Sequence, residues 1–328
     1  MAILVVGGAG YIGSHVVRAL QQSNRATVVF DNLEKGHREA IPDVPLHVGD
    51  LRKKEDVRAV FEKYHIDAAI HFSAYSIVGE SMEKPELYYE NNLLGTLNLL
   101  TAMKSCGVKH FIFSSTAAVY GDPQNIPIDE KHPTTPTNPY GETKLAVEKM
   151  LAWFDTLSGI KSISLRYFNA AGADPQGDIG ELHVPETHLI PLVLQAALGK
   201  RKQISIFGDD YTTNDGTCIR DYIHVNDLAD AHILALDYLS SVNESAVFNL
   251  GNGNGYSVRE IINVARDVTG MEIPLRIDGR RPGDPPLLIA SSEKARALLD
   301  WKPKLYDIRT IVETAWRWHS GKARKWEV

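Results

Sequence analysis

Ala2-Ile3-Leu4-Val5-Val6 runs straight into Gly7-Gly8-Ala9-Gly10-Tyr11-Ile12-Gly13, and from Tyr11 to Gln22 the pattern turns amphipathic. A short apolar run, a glycine cluster and a helical period read as strand, tight turn and helix. Glycines let a backbone turn sharply and approach a phosphate closely. The first turn of a helix adds N–H groups without intrahelical partners and a partial positive charge. Gly7, Gly10 and Gly13, with Tyr11 and Ile12 between them, therefore form a candidate pyrophosphate cradle. Asp31 closes the next apolar run. A carboxylate there accepts from ribose hydroxyls and repels a 2′-phosphate, which favours NAD over NADP against the opposing pull of Lys35 and Arg38.

Outward from this unit the first half alternates. Ala26–Phe30, Leu46–Val48, Ala68–Phe72, Lys109–Ser114 and Ile163–Phe168 are short and mostly apolar. Such runs fit strands covered on both faces. Lys54–Tyr64, Pro85–Ser105 and Tyr140–Thr156 are helix-like. The expected fold class is α/β, a Rossmann-like doubly wound parallel sheet, because right-handed crossovers place helices on both faces. After Gly172 the rhythm changes. Ala173–Pro185 reads as a loop, then a helix near Leu189–Leu198, strands at Ile204–Phe207 and Ile219–His224, and a helix from about Asn226 to Tyr238 follow. Strand Ala246–Leu250, helix Ser257–Thr269, strand Ile273–Ile277 and helices near Ser292–Leu299 and Asp307–His319 complete the chain. The expected division is a dinucleotide domain over 1–172 and a smaller α/β substrate domain over 173–328, with the strands near 219–224 and 246–250 as candidates to cross between them.

At 328 residues the chain has room for about two domains of ~150 residues each. With 44% apolar and 23% charged residues it is an ordinary globular composition, neither disordered nor fibrous. A net charge of −6 provides no basic field for a nucleic-acid backbone, so polynucleotide partners are not expected. No run reaches the ~20 apolar residues of a membrane span. Met1–Val6 has no basic flank and reads as a strand, not a secretion signal. Two cysteines, Cys106 and Cys218, build no disulfide framework, which fits a reducing, cytoplasmic setting.

Two further stretches bear on chemistry. Gly251-Asn252-Gly253-Asn254-Gly255 also separates a strand from a helix, but its third glycine falls too early for the dinucleotide pattern. It reads as a turn, with Ser257 as a plain N-cap. Tyr140 and Lys144 stand one helical turn apart, on one face, after Ser114-Ser115-Thr116. A phenol with a pKa of ~10 is a poor base at neutral pH. A neighbouring ammonium and a cationic nicotinamide both favour phenolate, by ~1–3 units for one close opposite charge. Tyr140 is then a base for a hydroxyl proton, Lys144 its activator and Thr116 the group that holds the same hydroxyl.

On these residues the chain resembles the extended short-chain dehydrogenase/reductase superfamily. Within it the chain resembles the UDP-glucose 4-epimerase family of NAD-dependent epimerases and dehydratases, essentially end to end. The motifs are Gly7–Gly13, Asp31-Asn32-Leu33, Gly49-Asp50-Leu51, His71-Phe72, Val78-Gly79-Glu80-Ser81, Asn91-Asn92, Phe113–Gly121, Tyr140–Lys144, Arg166-Tyr167-Phe168-Asn169, Arg220–Val225 and Arg281–Asp284. The resemblance implies an NAD-dependent inversion of the 4′-hydroxyl of a UDP-hexose through a 4-keto sugar. It implies that Asn32 joins Asp31 at the cofactor, that Asp50 and Leu51 flank the adenine, and that Phe72, Ser73 and Ala74 line the cofactor groove. Asn92, Ser114, Lys144 and Phe168 would hold the nicotinamide end. Asn169 would touch the sugar nucleotide, and His188, Leu189, Ser205, Ile206 and Phe207 would border the uracil. Arg220 and Arg281 would clamp the diphosphate, where planar guanidinium groups offer paired donors. Asp284 would take the uridine ribose, and Leu288 stands where the family places a gate for N-acetyl groups. A homodimer is implied, with the helical stretches Pro85–Ser105 and Tyr140–Thr156 pairing across a two-fold.

There are departures from the family pattern. Ser76 replaces a common lysine and His188 a common asparagine. Ala117 and Ala118 occupy the positions where 4,6-dehydratases carry an acid pair, so neither can move a proton for elimination. A UDP-N-acetylhexosamine or UDP-pentose substrate remains an alternative, as does a non-catalytic NAD(H) sensor on the same fold. A sensor needs no activated phenol. An ordinary ion pair between Arg220 and Asp221 is the competing reading of that arginine. His183, Glu186 and His188 match no metal-binding spacing, and no metal is expected.

Overall fold

The fold is taken from a computed structural model that describes residues 2–281 and 284–326; Pro282 and Gly283, inside the Arg281–Asp284 motif, lie outside the described residues. Strands are numbered along the chain: β1 (Ala2–Val6), β2 (Ala26–Asp31), β3 (Leu46–Val48), β4 (Ala68–His71), β5 (His110–Thr116), β6 (Lys161–Tyr167), β7 (Asn169–Ala171), β8 (Ile204–Phe207), β9 (Ile219–His224), β10 (Ala246–Leu250), β11 (Gly255–Ser257), β12 (Leu275–Asp278) and β13 (Leu287–Leu288). Seven of them form one sheet in the order β3-β2-β1-β4-β5-β6-β10. Every pairing within it is parallel. Parallel strands need covering on both faces, and the apolar runs supply that: every residue of β4 is buried.

Helices Tyr11–Gln22 and Val225–Val242 cover one face, packing Val16, Val17 and Leu20 with Leu228, Ala231 and Ala235 against the sheet. Helices Lys54–Lys63, Gly95–Ser105 and Pro139–Ser158 cover the other through Val57, Leu99 and Val147. The strand order reverses between β1 and β4, the topological switch point where open α/β sheets bind ligands.

Residues beyond β6 divide between two places. The helix Val225–Val242 and β10 return to the large sheet, β10 pairing with β6. The remainder builds a separate layer. In it β9 is flanked by β11 and β13 and also pairs with β7, while β8 pairs with β12. Its core lies among helices Leu189–Ala197, Val258–Thr269 and Ile308–Ser320.

One expected helix is interrupted. Pro85–Ser105 is a short helix (Pro85–Tyr88), a wide π turn (Tyr89–Leu94) and a second helix (Gly95–Ser105). The wide turn rotates Asn91 and Asn92 into the protein, where both are buried. Asn92 Oδ1 accepts from the Tyr75 N–H and its Nδ2 donates to the Tyr75 carbonyl, fastening the chain after β4. Periodicity alone shows nothing of this, because the apolar pattern continues through the bulge.

Trp301 anchors the later part of the chain to the large sheet. It is fully buried in the core of the large sheet and donates its indole N–H to the Asp227 carbonyl. Removing a buried indole typically costs about 3–5 kcal/mol. Trp301→Ala is expected to lower unfolding free energy by that order in a urea titration, with the midpoint moving and the slope unchanged.

Candidate active site

A single cavity of about 1100 Å³ opens along the C-terminal ends of the large sheet, from the glycine turn to Arg220 and Arg281. Sites for one drug-sized ligand run to roughly 300–1,000 Å³, so this cavity lies just above the upper end of that range and is elongated between its two ends.

At one end lies the glycine turn. Gly7 has φ +77°, and a Cβ on Gly13 would stand 2.3 Å from the Gly7 carbonyl oxygen, so larger residues would force the turn open. The helix Tyr11–Gln22 begins at Gly10 with no side-chain cap and no acidic residue in its first turn. Its leading N–H groups are left for an anion. Asp31 is buried; its two oxygens accept from Ala9 N (3.0 Å) and Leu33 N (2.8 Å), bracing the turn. Each oxygen keeps a second lone pair for a ribose hydroxyl. Asn32, Phe72, Ser73 and Ala74 continue the wall.

Tyr140, Thr116 and Lys144 form the floor. Asn138 caps the helix Pro139–Ser158 by accepting from Gly141 N (2.9 Å), and Pro139 opens its first turn. A Cβ on Gly141 would meet the Ala118 carbonyl at 2.5 Å, so glycine lets this helix start press against the end of β5. Tyr140 and Thr116 line the same stretch of the cavity, and the Thr116 hydroxyl is near enough to pull the phenol's pKa down. Lys144 Nζ donates to the Ser114 carbonyl (2.8 Å) and lies 6.0 Å from the Tyr140 ring centroid. Ser114 Oγ is hydrogen-bonded to the Tyr167 hydroxyl, a cavity residue that stands in the Arg166–Asn169 motif but was given no role from the sequence.

Charge in this floor differs from expectation. Burial raises the Tyr140 pKa above its ordinary value, opposed only by the Thr116 hydrogen bond. Burial also pushes Lys144 down to about 7, partly opposed by the carboxylate of Glu148. Glu148 itself is ion-paired with Arg166 and accepts from Ser115. Without a cation in the cavity, desolvation outweighs the ammonium, and the phenol stays protonated. His71 behind the floor is held neutral, down to about 3, by burial and by Lys144. Its Nδ1 accepts from Ser73 N, so the ring proton sits on Nε2, facing Thr96 Oγ1 at 2.8 Å.

The far end gathers Arg220, Arg281, Asp284, Phe207, Leu189 and Leu288. Arg220 donates to the Asp284 carboxylate and to the Ile219 carbonyl. The Arg281 guanidinium stacks 3.9 Å from the Phe207 ring centroid. The competing pair of Arg220 with Asp221 is not formed. Asp221 is buried and accepts backbone N–H groups from Asn252 (2.8 Å), Gly253 (3.0 Å) and Ala290 (3.1 Å). Those bonds also satisfy the second glycine cluster from within, so it is a turn leading into β11, with Ser257 capping the next helix.

A short-chain fold with this floor is compatible with several chemistries; the comparison with known proteins narrows them. Residues 3–251 match the model of the NAD dependent epimerase/dehydratase family. The chain belongs to that family. It is 57% identical to a UDP-glucose 4-epimerase of Halalkalibacterium halodurans, over 97% of this chain and 96% of that one. Among solved structures, UDP-glucose 4-epimerase from Brucella ovis in complex with NAD superposes with TM-score 0.94 at 46% identity, covering 96% and 97% of the two chains. The Bifidobacterium longum enzyme in complex with NAD+ and UDP gives TM-score 0.94 at 38% identity, covering 98% and 99%.

Most residues singled out through the family resemblance line the cavity, Ser114, Phe168, Asn169, His188 and Ser205 among them. Four stand outside its lining. Ile206 points into the second core, because strand alternation sends Ser205 and Phe207 to the cavity and Ile206 away from it. Asn92 is taken up by Tyr75, and its neighbour Asn91 lines the cavity instead. Leu51 is packed in the core, and Asp50 is held by Arg52, whose guanidinium keeps its carboxyl below the usual range. Glu181, which sequence spacing did not single out, lies beside His183, Glu186 and His188 on the cavity wall. Its carboxylate raises His188 to about 9.

The Lys144 shift has a measurable sign. Folded Lys144 releases its proton near 7 and an unfolded lysine near 10.4. Between these values the unfolded chain holds more protons, so rising pH stabilises the fold; below about 7 the full penalty remains. In cofactor-free protein, Lys144→Met is expected to be more stable than wild type at neutral pH, with the gain shrinking as pH climbs toward 10. Urea midpoints of both proteins across that range check it.

Proposed function

We infer that the cavity holds NAD and a UDP-hexose together and inverts the sugar's 4′-hydroxyl, interconverting UDP-galactose and UDP-glucose. The observation that carries this is the Thr116–Tyr140–Lys144 floor lying midway between an anion-ready glycine turn and a pair of arginines, in one continuous cavity. NAD held there would supply a two-electron acceptor and donor for the hydride of the sugar's C4. The glycine turn would hold its pyrophosphate, Asp31 and Asn32 its adenosine ribose, and Ser114, Lys144 and Phe168 its nicotinamide end.

The chain's own groups do the proton work. Tyr140 accepts the 4′-hydroxyl proton and later returns it, while Thr116 holds the same oxygen by hydrogen bonding. Burial keeps the phenol protonated in the free protein. A cationic nicotinamide ring bound beside Ser114 and Lys144 would add a positive charge that favours the Tyr140 phenolate. Arg220 and Arg281 grip the diphosphate, with Arg281 braced on Phe207. Leu189, Ser205 and Phe207 border the uracil, Asp284 the uridine ribose and Asn169 the nucleotide. The grip is firm at UDP, and the flat 4-keto sugar turns about its diphosphate linkage to present its other face. Ala117 and Ala118 follow Thr116 in the cavity wall and carry no acid or base. Water elimination therefore lacks its proton carriers.

We place the uridine-holding residues in the part of the chain after residue 172 and the dinucleotide residues before it. A homodimer is proposed on the exposed apolar side chains of two neighbouring helical stretches, Leu94 and Leu97 on one, Trp153 and Leu157 on the other. Among the described residues no helix is long and apolar enough to cross a membrane. A cytoplasmic setting is proposed from the two free cysteines.

Purified protein given UDP-galactose and no added cofactor is expected to form UDP-glucose, read by mass spectrometry with chromatographic separation. Tyr140→Phe is expected to keep its NAD and lose turnover by about 10²–10⁴-fold. Near-normal turnover in that variant contradicts the assigned base. Reduced cofactor accumulating without product contradicts the epimerase reading.

A further inference from the structure

The segment between β7 and helix Leu189–Ala197 brings together four side chains that the proposed reaction leaves unused as a group. One donor atom from each of Glu181, His183, Glu186 and His188 lies within 4.8 Å of every other. We propose that these four residues bind one zinc ion, which clasps this segment over the dinucleotide end of the cavity.

The four donors stand close enough together to converge on one ion. Zn–N and Zn–O bonds of about 2.0–2.2 Å place neighbouring ligand atoms roughly 3.3–3.5 Å apart. His183 Nδ1 stands 3.2 Å from Glu181 Oε1 and 3.9 Å from Glu186 Oε2. His188 Nδ1 also contacts Glu181 Oε1 directly. Both imidazoles thus present the same ring nitrogen to the same two carboxylates. Two carboxylates and two neutral imidazoles around a dication sum to zero net charge, which suits a half-buried site. Two nitrogens in four donors disfavour magnesium and calcium, which take oxygen cages.

The carboxylates are held in place. Glu186 Oε1 accepts the backbone N–H groups of Thr187 (2.7 Å) and His188 (2.9 Å), leaving Oε2 for the ion. Glu181 is buried, and its backbone carbonyl takes the Trp318 indole N–H at 2.9 Å. The outer edge of His188 is exposed, which gives the ion an entry path.

The position of the cluster suggests its role. The His183 ring meets the Tyr11 ring edge-on at 6.4 Å, and Tyr11 is the first residue of the helix whose N-terminus faces the pyrophosphate site. Lys35 donates to the Val184 carbonyl and the Tyr11 hydroxyl to the Gly172 carbonyl, so the same segment is tied to the cofactor turn on both sides. Zinc here is a structural clasp. Its loss is expected to loosen the wall beside the dinucleotide without touching the Tyr140 floor.

The test uses full-length, NAD-bound protein with any affinity tag removed, incubated with zinc, passed through a desalting column and analysed by plasma mass spectrometry. About one zinc per chain is expected, falling below a tenth in the His183→Ala/His188→Ala double variant and unchanged in His65→Ala, whose ring is exposed elsewhere. Wild-type protein alone gives a second reading. Stripping with a chelator is expected to lower Tm and speed NAD loss severalfold, and zinc but not magnesium is expected to restore both. A wild-type zinc content below a tenth per chain, or equal zinc retention in wild type and the double variant, overturns the proposal. So does a Tm indifferent to chelator and zinc. None of these outcomes bears on Tyr140, so the clasp and the proposed reaction fail separately.

Discussion

A buried ammonium organises this protein's centre. Lys144 is almost completely enclosed, bonded to the Ser114 carbonyl and set 4.9 Å from the centroid of the Phe113 ring. Glu148, one turn along the helix, is already ion-paired with Arg166. Burying a charge without its own counter-ion is costly. The fold supports that cost with β5 in the middle of a fully covered sheet and with a twenty-residue helix whose start is pinned by Asn138, Pro139 and Gly141. The same pins set the Tyr140–Thr116 contact, so the arrangement that strains Lys144 also aims the phenol.

Burial sets the charge state of the floor. In the free protein, desolvation raises the phenol and lowers the ammonium, which works against phenolate formation. A second positive charge in the cavity would act against that balance. The cavity is also chemically asymmetric: Arg220, Arg281 and Phe207 stand at one end and the glycine turn at the other.

Much of this was legible in the sequence. Strand Ala2–Val6, the glycines and the helix after them followed from local patterning, and the remaining strands of the large sheet from short apolar runs that only a two-sided cover explains. Tyr140, Lys144 and Thr116 were recognisable from spacing joined to position. The misses share one cause, since each depends on side-chain direction or on contacts distant in sequence. Ile206 lies between two cavity residues and points away from them. Asn92 is rotated out of the cavity by a π turn that leaves no mark on periodicity. Glu181 joins His183, Glu186 and His188 only because an irregular segment folds back on itself. The direction of the Tyr140 shift was also out of reach, because burial of the helix start comes from packing that the spacing does not describe.

The central claim is that the hydrogen leaving C4 of the sugar returns to C4 of the same sugar. UDP-galactose deuterated at C4′, incubated with the NAD-bound protein in ordinary water, tests it most directly. The account predicts UDP-glucose that retains the deuterium at C4′, located by mass spectrometry and NMR. Product with protium at that carbon, or label released to solvent or to added nucleotide, would contradict it.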